Sequence, residues 1–193
     1  MEAIILASQS PRRKQLLQSA EIQFEVMVSD TDETYPNDLP IQEIPVFIAR
    51  EKANAVQKKL DEQKTIATAI IAADTVVVLN NQIIGKPVDR TNAIEILQSL
   101  SGKTHQVITG VVVKHSTEEI AFSETTLVHF NSLSSNDIIH YVDTYKPYDK
   151  AGAYAIQEWI GIIGISKIEG DFYNVMGLPI NRLVTTLKMM NIL

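Results

Sequence analysis

IILASQSPRRKQLL, running from Ile4 to Leu17, sets the architecture expected of this chain. Ile4, Ile5, Leu6 and Ala7 form a short apolar run that reads as a buried strand. Pro11 suits the first turn of a helix, where its missing N–H would be unbonded anyway, and Ser10 is the natural N-cap. A strand that runs straight into a capped helix is a joint of an α/β protein. The helix start also carries the hydroxyls of Ser8 and Ser10 and the cations Arg12, Arg13 and Lys14. Unpaired N–H groups beside hydroxyls and guanidiniums suit an anion, above all phosphate. The plainer reading is a capped helix with a solvated basic face, although helix N-termini prefer acids to arginines.

Bulk properties narrow the field. The 193 residues are enough for one domain with a substantial core, or for two closely joined lobes. A net charge of −6 argues against a general nucleic-acid binder, while leaving room for a small anion held by a few local cations. With no cysteine there is no disulfide, thiol nucleophile or thiolate zinc site, which fits a reducing cytoplasm. Glu2 stands where a secretory signal would carry basic residues, and the run Ile66 to Leu79 is broken by Asp74. A soluble, cytoplasmic protein with no membrane span is therefore expected.

Further along, Phe24 to Ser29 alternates like a second strand and leads into the acid- and hydroxyl-rich loop Asp30-Thr-Asp-Glu-Thr34. Acid clusters in loops are ordinarily just solvated; the functional version is a carboxylate facing a metal. A helix is predicted from Pro45 to about Leu60, with Val46, Ala49, Ala53, Val56 and Leu60 on one face and Arg50 and Lys52 at its shoulders. Thr65 to Asn80 reads as a strand, turning at Asn80-Asn81 into Gln82-Ile83-Ile84. Asp74 is the lone acid of that apolar stretch, so it must be paired, bound to metal or protonated, unless it faces solvent at a kink. A helix from Thr91 to Leu100 follows, and then strands His105 to Lys114 and Glu119 to Phe130, with His129 on the opposite strand face. Ser134 and Asp137 match a capping box. Ile160 to Ile168 reads as a glycine-bearing apolar strand. A last helix begins after Gly177-Leu-Pro179, with Ile180, Leu183, Val184 and Leu187 inward. The whole predicts a mixed, twisted sheet flanked by helices.

Arg12, Arg13, Lys52 and Lys86 supply positive charge, and Asp74 and Glu33 supply hard oxygens. Such a set clamps a polyphosphate, holds a divalent metal and orients or deprotonates a water. There is no Walker lysine loop, GxGxxG, HExxH or GxSxG. In order along the chain stand Ser8-Gln-Ser-Pro-Arg-Arg13, Ala49-Arg-Glu-Lys-Ala53, Ala73-Asp-Thr75, Gly85-Lys-Pro87, Leu100-Ser-Gly102, Asp149-Lys-Ala-Gly-Ala-Tyr-Ala-Ile-Gln157 and Gly177-Leu-Pro179. This ordered set, from Ile4 to about Leu183, resembles the Maf family of nucleoside triphosphate pyrophosphatases.

The resemblance implies a single two-lobed α/β domain with a central cleft, similar to the inosine triphosphate pyrophosphatases. The implied reaction is hydrolysis of a nucleoside triphosphate between its α and β phosphates, with a divalent cation, Mg2+ or Mn2+. Asp74 matches the family's proton acceptor; Arg12, Thr75 and Gln157 match positions that set base preference and look like the branch acting on dTTP and UTP. Ser8, Arg13, Glu33, Lys52 and Lys86 match further pocket positions, beside the N-cap Ser10. The loop Thr34 to Ile44 and the segment Gln157 to Gly161 are less typical of the family. Asp74 and Glu33 are the candidate metal ligands, and whether Asp74 is base or ligand stays open, since a carboxylate directly on magnesium is a poor base. The resemblance also implies a homodimer. Alternative readings are a 7-methyl-GTP or modified-nucleotide pyrophosphatase, and a nucleotide-sensing regulator of cell division.

Overall fold

The computed structural model describes residues 3–28, 30–65 and 67–193. Glu2, Ser29 and Ile66, which entered the expectations above, lie outside the described residues. In chain order the elements are β1 (Ala3–Leu6), α1 (Pro11–Ser19), β2 (Phe24–Val26), α2 (Ile44–Gln63), β3 (Ala67–Leu79), β4 (Gln82–Ile84), α3 (Arg90–Leu100), β5 (Thr104–His115) and β6 (Glu118–Phe130). They continue with α4 (Ser135–Tyr145), a single 3-10 turn at Ala151–Ala153, α5 (Trp159–Gly164), β7 (Ile165–Glu169), α6 (Phe172–Val175) and α7 (Ile180–Met189). The strands make a seven-stranded sheet in the order β2-β1-β3-β5-β6-β7, with β4 paired to β3. β1 runs parallel to β2 and β3, whereas β3–β4 and β6–β7 are antiparallel. The fold is the mixed α/β class that the alternation of elements predicts. Among the described residues no helix is long and apolar enough to cross a membrane.

The chain divides into two compact units, and β3 passes from one to the other between Asp74 and Thr75. The first comprises Met1–Asp74, Thr109–Glu124 and Gly177–Leu193. Its core forms where α2 lays Ala49, Ala53, Val56 and Leu60 against Ile5 and Ala7 of the first strand segment, Ile70 and Ala72 of β3, and Val112 of β5. Each Val or Leu so buried contributes about 1.5–3 kcal/mol, before the entropy of ordering is set against it. Small residues on the helix stripe let α2 come close. At Gly110 of β5 the approach is closest, because a Cβ there would lie 2.2 Å from the Val46 nitrogen. Ile4 and Leu6, facing the other way from Ile5, are buried too, so this part of the sheet is covered on both faces, as parallel strands usually are.

The second unit comprises Thr75–Ile108 and Thr125–Met176. The Asn80-Asn81 turn is present with both residues at positive φ, 51° and 61°, the pairing a two-residue hairpin needs. Ser134 and Asp137 form the expected capping box at the start of α4. His129 is structural, accepting or donating at Thr104 Oγ1 (2.8 Å) and Glu169 (2.9 Å).

Three expectations are corrected. Ile160 to Ile168 is not one strand: Trp159–Gly164 is helical and only Ile165–Glu169 is extended. A short apolar run cannot distinguish the two by periodicity. The close approach at Gly161 is local, a Cβ there lying 1.8 Å from the Ile156 carbonyl oxygen, whereas the extended part is decided by the tertiary pairing of Ile165 to Glu169 with β6. The second strand stops at Val26, where an edge position leaves Glu25 and Val26 exposed. On α7, Leu183 and Leu187 are buried as expected, but Ile180 and Val184 are only half-buried and Thr186 takes the inner position.

Candidate active site

In the first unit the β1–α1 joint builds as its residues dictate. Ser10 caps α1, its Oγ accepting from the Arg13 N–H at 3.4 Å, with Pro11 in the first turn. Ser8 is buried and its Oγ accepts from the Ser10 N–H (3.2 Å) and from Arg13 Nη1 (3.1 Å). Arg12 is half-buried on the same turn. Arg13 turns inward. Its Nε donates to the Gly177 carbonyl at 2.7 Å and its Nη1 to the Ala73 carbonyl at 2.8 Å. Burial lowers its pKa, Asp74 opposes that, Arg12 adds to it and Glu33 opposes it. Arg13 therefore ties the helix start to the carbonyl immediately before Asp74 and to the loop before α7.

Asp74 is paired, as a lone acid in an apolar strand must be. Lys52 Nζ, on the shoulder of the α2 stripe, donates to Asp74 at 2.7 Å and to Glu33 at 2.7 Å. The side chains differ in exposure: 14% for Asp74, 17% for Lys52 and 48% for Glu33. The other shoulder residue, Arg50, pairs instead with Glu119 at 2.7 Å. Glu33 lies in the acidic loop, where Asp32 Oδ1 accepts from the Thr34 N–H at 3.2 Å, a local turn. Ser8, Ser10, Arg13, Ala73, Asp74, Lys52 and Glu33 thus form one connected set. Two carboxylates sharing one cation are also the donor pair magnesium uses when phosphate oxygens and water complete its shell. Among the described residues no group of three or more His, Cys, Asp or Glu gathers around a single ion position.

Thr75, Lys86 and Gln157 belong to the second unit. Thr75 is half-buried and follows Asp74 in β3; Lys86 is exposed in the loop after β4. Gln157 is exposed in the turn Ala155-Ile-Gln-Glu158, which the Glu158 N–H closes onto the Ala155 carbonyl at 3.1 Å. It sits on an open groove of about 600 Å3 with Ile156, Ile162, Ile165, Ile168 and Phe172.

Beneath that turn are residues the sequence reading did not single out. Tyr154 is buried, and its hydroxyl meets His105 Nε2 at 2.7 Å. Burial lowers the His105 pKa to about 4, helped by His129, and raises that of the Tyr154 hydroxyl. Tyr141 of α4 donates its hydroxyl to Glu158 and accepts from the Ala155 N–H at 3.2 Å. Lys150, 9% exposed in its side chain, stands 2.8 Å from Asp149 and 3.6 Å from Glu158. The available signal was a phenol in the apolar stripe Ile138, Tyr141, Val142, since a buried hydroxyl needs a partner.

Comparison with known proteins places the chain among named relatives. The model of the family described as Maf-like protein matches residues 3–190. A Porphyromonas gingivalis protein named dTTP/UTP pyrophosphatase is 50% identical over 186 residues, covering 96% of this chain and 92% of its own length. A Bacteroides fragilis protein of the same name is 48% identical over 96% of this chain and 94% of its own. A Cytophaga hutchinsonii protein, again so named, is 46% identical over 97% and 84%. With the family match running almost end to end and relatives up to half identical over nearly the whole chain, the chain belongs to the Maf-like protein family.

Proposed function

We propose that this protein is a nucleoside triphosphate pyrophosphatase that hydrolyses dTTP and UTP to the monophosphate and pyrophosphate, clearing excess or non-standard pyrimidine nucleotides. The observation that carries the reading is Asp74, held at 2.7 Å by Lys52 beside Glu33, in a chain half identical to proteins named for that activity. In the reaction, a water oxygen bonds to the α-phosphorus, the bond from that phosphorus to the α–β bridging oxygen breaks, and pyrophosphate leaves. Asp74 takes the water's proton. Lys52 keeps the Asp74 carboxylate aimed and offsets negative charge as the phosphates approach. Glu33, the more exposed acid, is the better placed metal ligand, which leaves Asp74 to act as base. A bound Mg2+ or Mn2+ supplies Lewis-acid neutralisation of the phosphate oxygens. Ser8, Ser10 and Arg12 line the start of α1, where an anion is favoured; Lys86 adds a further cation.

Base preference rests with Arg12, Thr75 and Gln157. A pocket that hydrogen-bonds the carbonyl and N–H edge of a pyrimidine rejects bases that leave its groups unpaired. The acidic balance of the chain, −6, supports free nucleotides rather than nucleic acid as substrate, and the absence of cysteine supports a cytoplasmic setting. The family resemblance supports a homodimer. The test is pyrophosphate release from a panel of nucleoside triphosphates with and without magnesium. The expected result is metal-dependent release, fastest from dTTP and UTP; fastest release from 7-methyl-GTP, or none from any nucleotide, overturns the reading.

A further inference from the structure

We infer that Tyr141 is a positioning residue for base selection, its one hydroxyl clamping both corners of the turn that presents Gln157. The inference rests on the reading that Gln157 contacts the base. The turn has Ala155 and Glu158 at its corners, joined by the Glu158 N–H to Ala155 carbonyl bond at 3.1 Å, with Ile156 and Gln157 between them. Ile156 is buried and Gln157 exposed, so the turn has an anchored side and a presenting side. Tyr141, fully buried on α4, reaches both corners at once: its hydroxyl accepts the Ala155 N–H at 3.2 Å and donates to the Glu158 carboxylate. Lys150 approaches the second oxygen of that carboxylate at 3.6 Å, and the Gly161 N–H donates to the Glu158 carbonyl at 2.9 Å. Glu158 is thus held through side chain and backbone together.

This matters for recognition because a carboxamide presents a donor and an acceptor that are not interchangeable. A pyrimidine with a ring N–H between two carbonyls is matched only when the amide meets it in one orientation. A site held loosely loses discrimination before it loses binding of the phosphates, which other residues grip. Nothing about Tyr141 touches the reacting atoms; it acts through the backbone on either side of Gln157.

The experiment measures kcat and KM of the purified full-length protein with dTTP, UTP, CTP and GTP, for wild type, Tyr141→Phe, Glu158→Gln, Glu158→Ala and Gln157→Ala. Tyr141→Phe keeps the ring and removes the hydroxyl that makes the clamp. It is expected to raise KM for dTTP and UTP about tenfold, leave kcat within about twofold, and leave CTP and GTP unchanged, so that the preference contracts. Glu158→Gln retains an acceptor for the hydroxyl and keeps most of the preference, whereas Glu158→Ala contracts it. This pair reads the same clamp should Tyr141→Phe fail to fold. A wild-type preference ratio in folded Tyr141→Phe and Glu158→Ala, or a uniform loss across all four nucleotides, overturns the inference. If Gln157→Ala contracts the ratio while the clamp variants do not, the base-reading role stands and the inference falls. If Gln157→Ala itself leaves the ranking untouched, both fall.

Discussion

Two lysines in this protein each sit between two carboxylates, and they do different work. Lys52 in the first unit holds Asp74 and Glu33 at 2.7 Å each. Lys150 in the second unit stands 2.8 Å from Asp149 and 3.6 Å from Glu158, and Glu158 is further gripped by the Tyr141 hydroxyl. The first pair of acids stands on a strand and in a loop, and in the mechanism proposed above Lys52 offsets negative charge as the phosphates approach. The second includes an acid tied into a turn from several directions. On the proposed function, lysine with two carboxylates is chemistry in one place and carpentry in the other.

The sharpest way to break that contrast is Asp74→Asn. The variant should retain its fold and its affinity for dTTP while losing at least roughly 100-fold in turnover, the scale of a general base. Wild-type turnover in that variant would make the first cluster as structural as the second. The next effect is on stability and concerns the second unit. His105 has its pKa lowered by burial from 6.5 to about 4, so between these values the unfolded chain binds more protons than the folded one. Stability therefore falls as pH falls through that window, by about 2 kcal/mol at pH 5 relative to pH 7. Denaturant melts at the two pH values measure it, and a flat profile would show that His105 is already charged in the fold.

Smaller effects sharpen the comparison of the lysines themselves. Lys52→Met should lower turnover about tenfold while shifting the melting midpoint little, because the loss is of an orienting and charge-compensating donor rather than of core packing. Lys150→Met should do the reverse, destabilising by about 1 kcal/mol as Glu158 loses a partner, with turnover near wild type. Steady-state kinetics and thermal melts on the same preparations separate the two outcomes; equal losses of activity in both variants would erase the distinction.

How much of this was legible beforehand varies by element. The joint at Ser10-Pro11 could be read because capping and proline chemistry are local. The α2 stripe and the Asn80-Asn81 turn were legible for the same reason, as was the need of Asp74 for a partner. Which partner it takes was not, since Lys52 lies 22 positions away and was one of two shoulder cations. Arg13 illustrates the gap well. In the sequence it is one more cation near a phosphate site, and in the fold it is a buried brace between the Ala73 and Gly177 carbonyls, the latter 164 positions distant.

By itself the sequence determined the class of the fold, the capped start of α1, the family and the need of Asp74 for a partner, because each is carried by local stereochemistry or by an ordered set of motifs. Only the tertiary structure decided that Arg13 turns inward, that Ile160 to Ile168 divides into helix and strand, and that Tyr141 braces the turn of Gln157. Those outcomes depend on close approaches and hydrogen bonds between residues far apart in the chain, and periodicity has no access to such contacts.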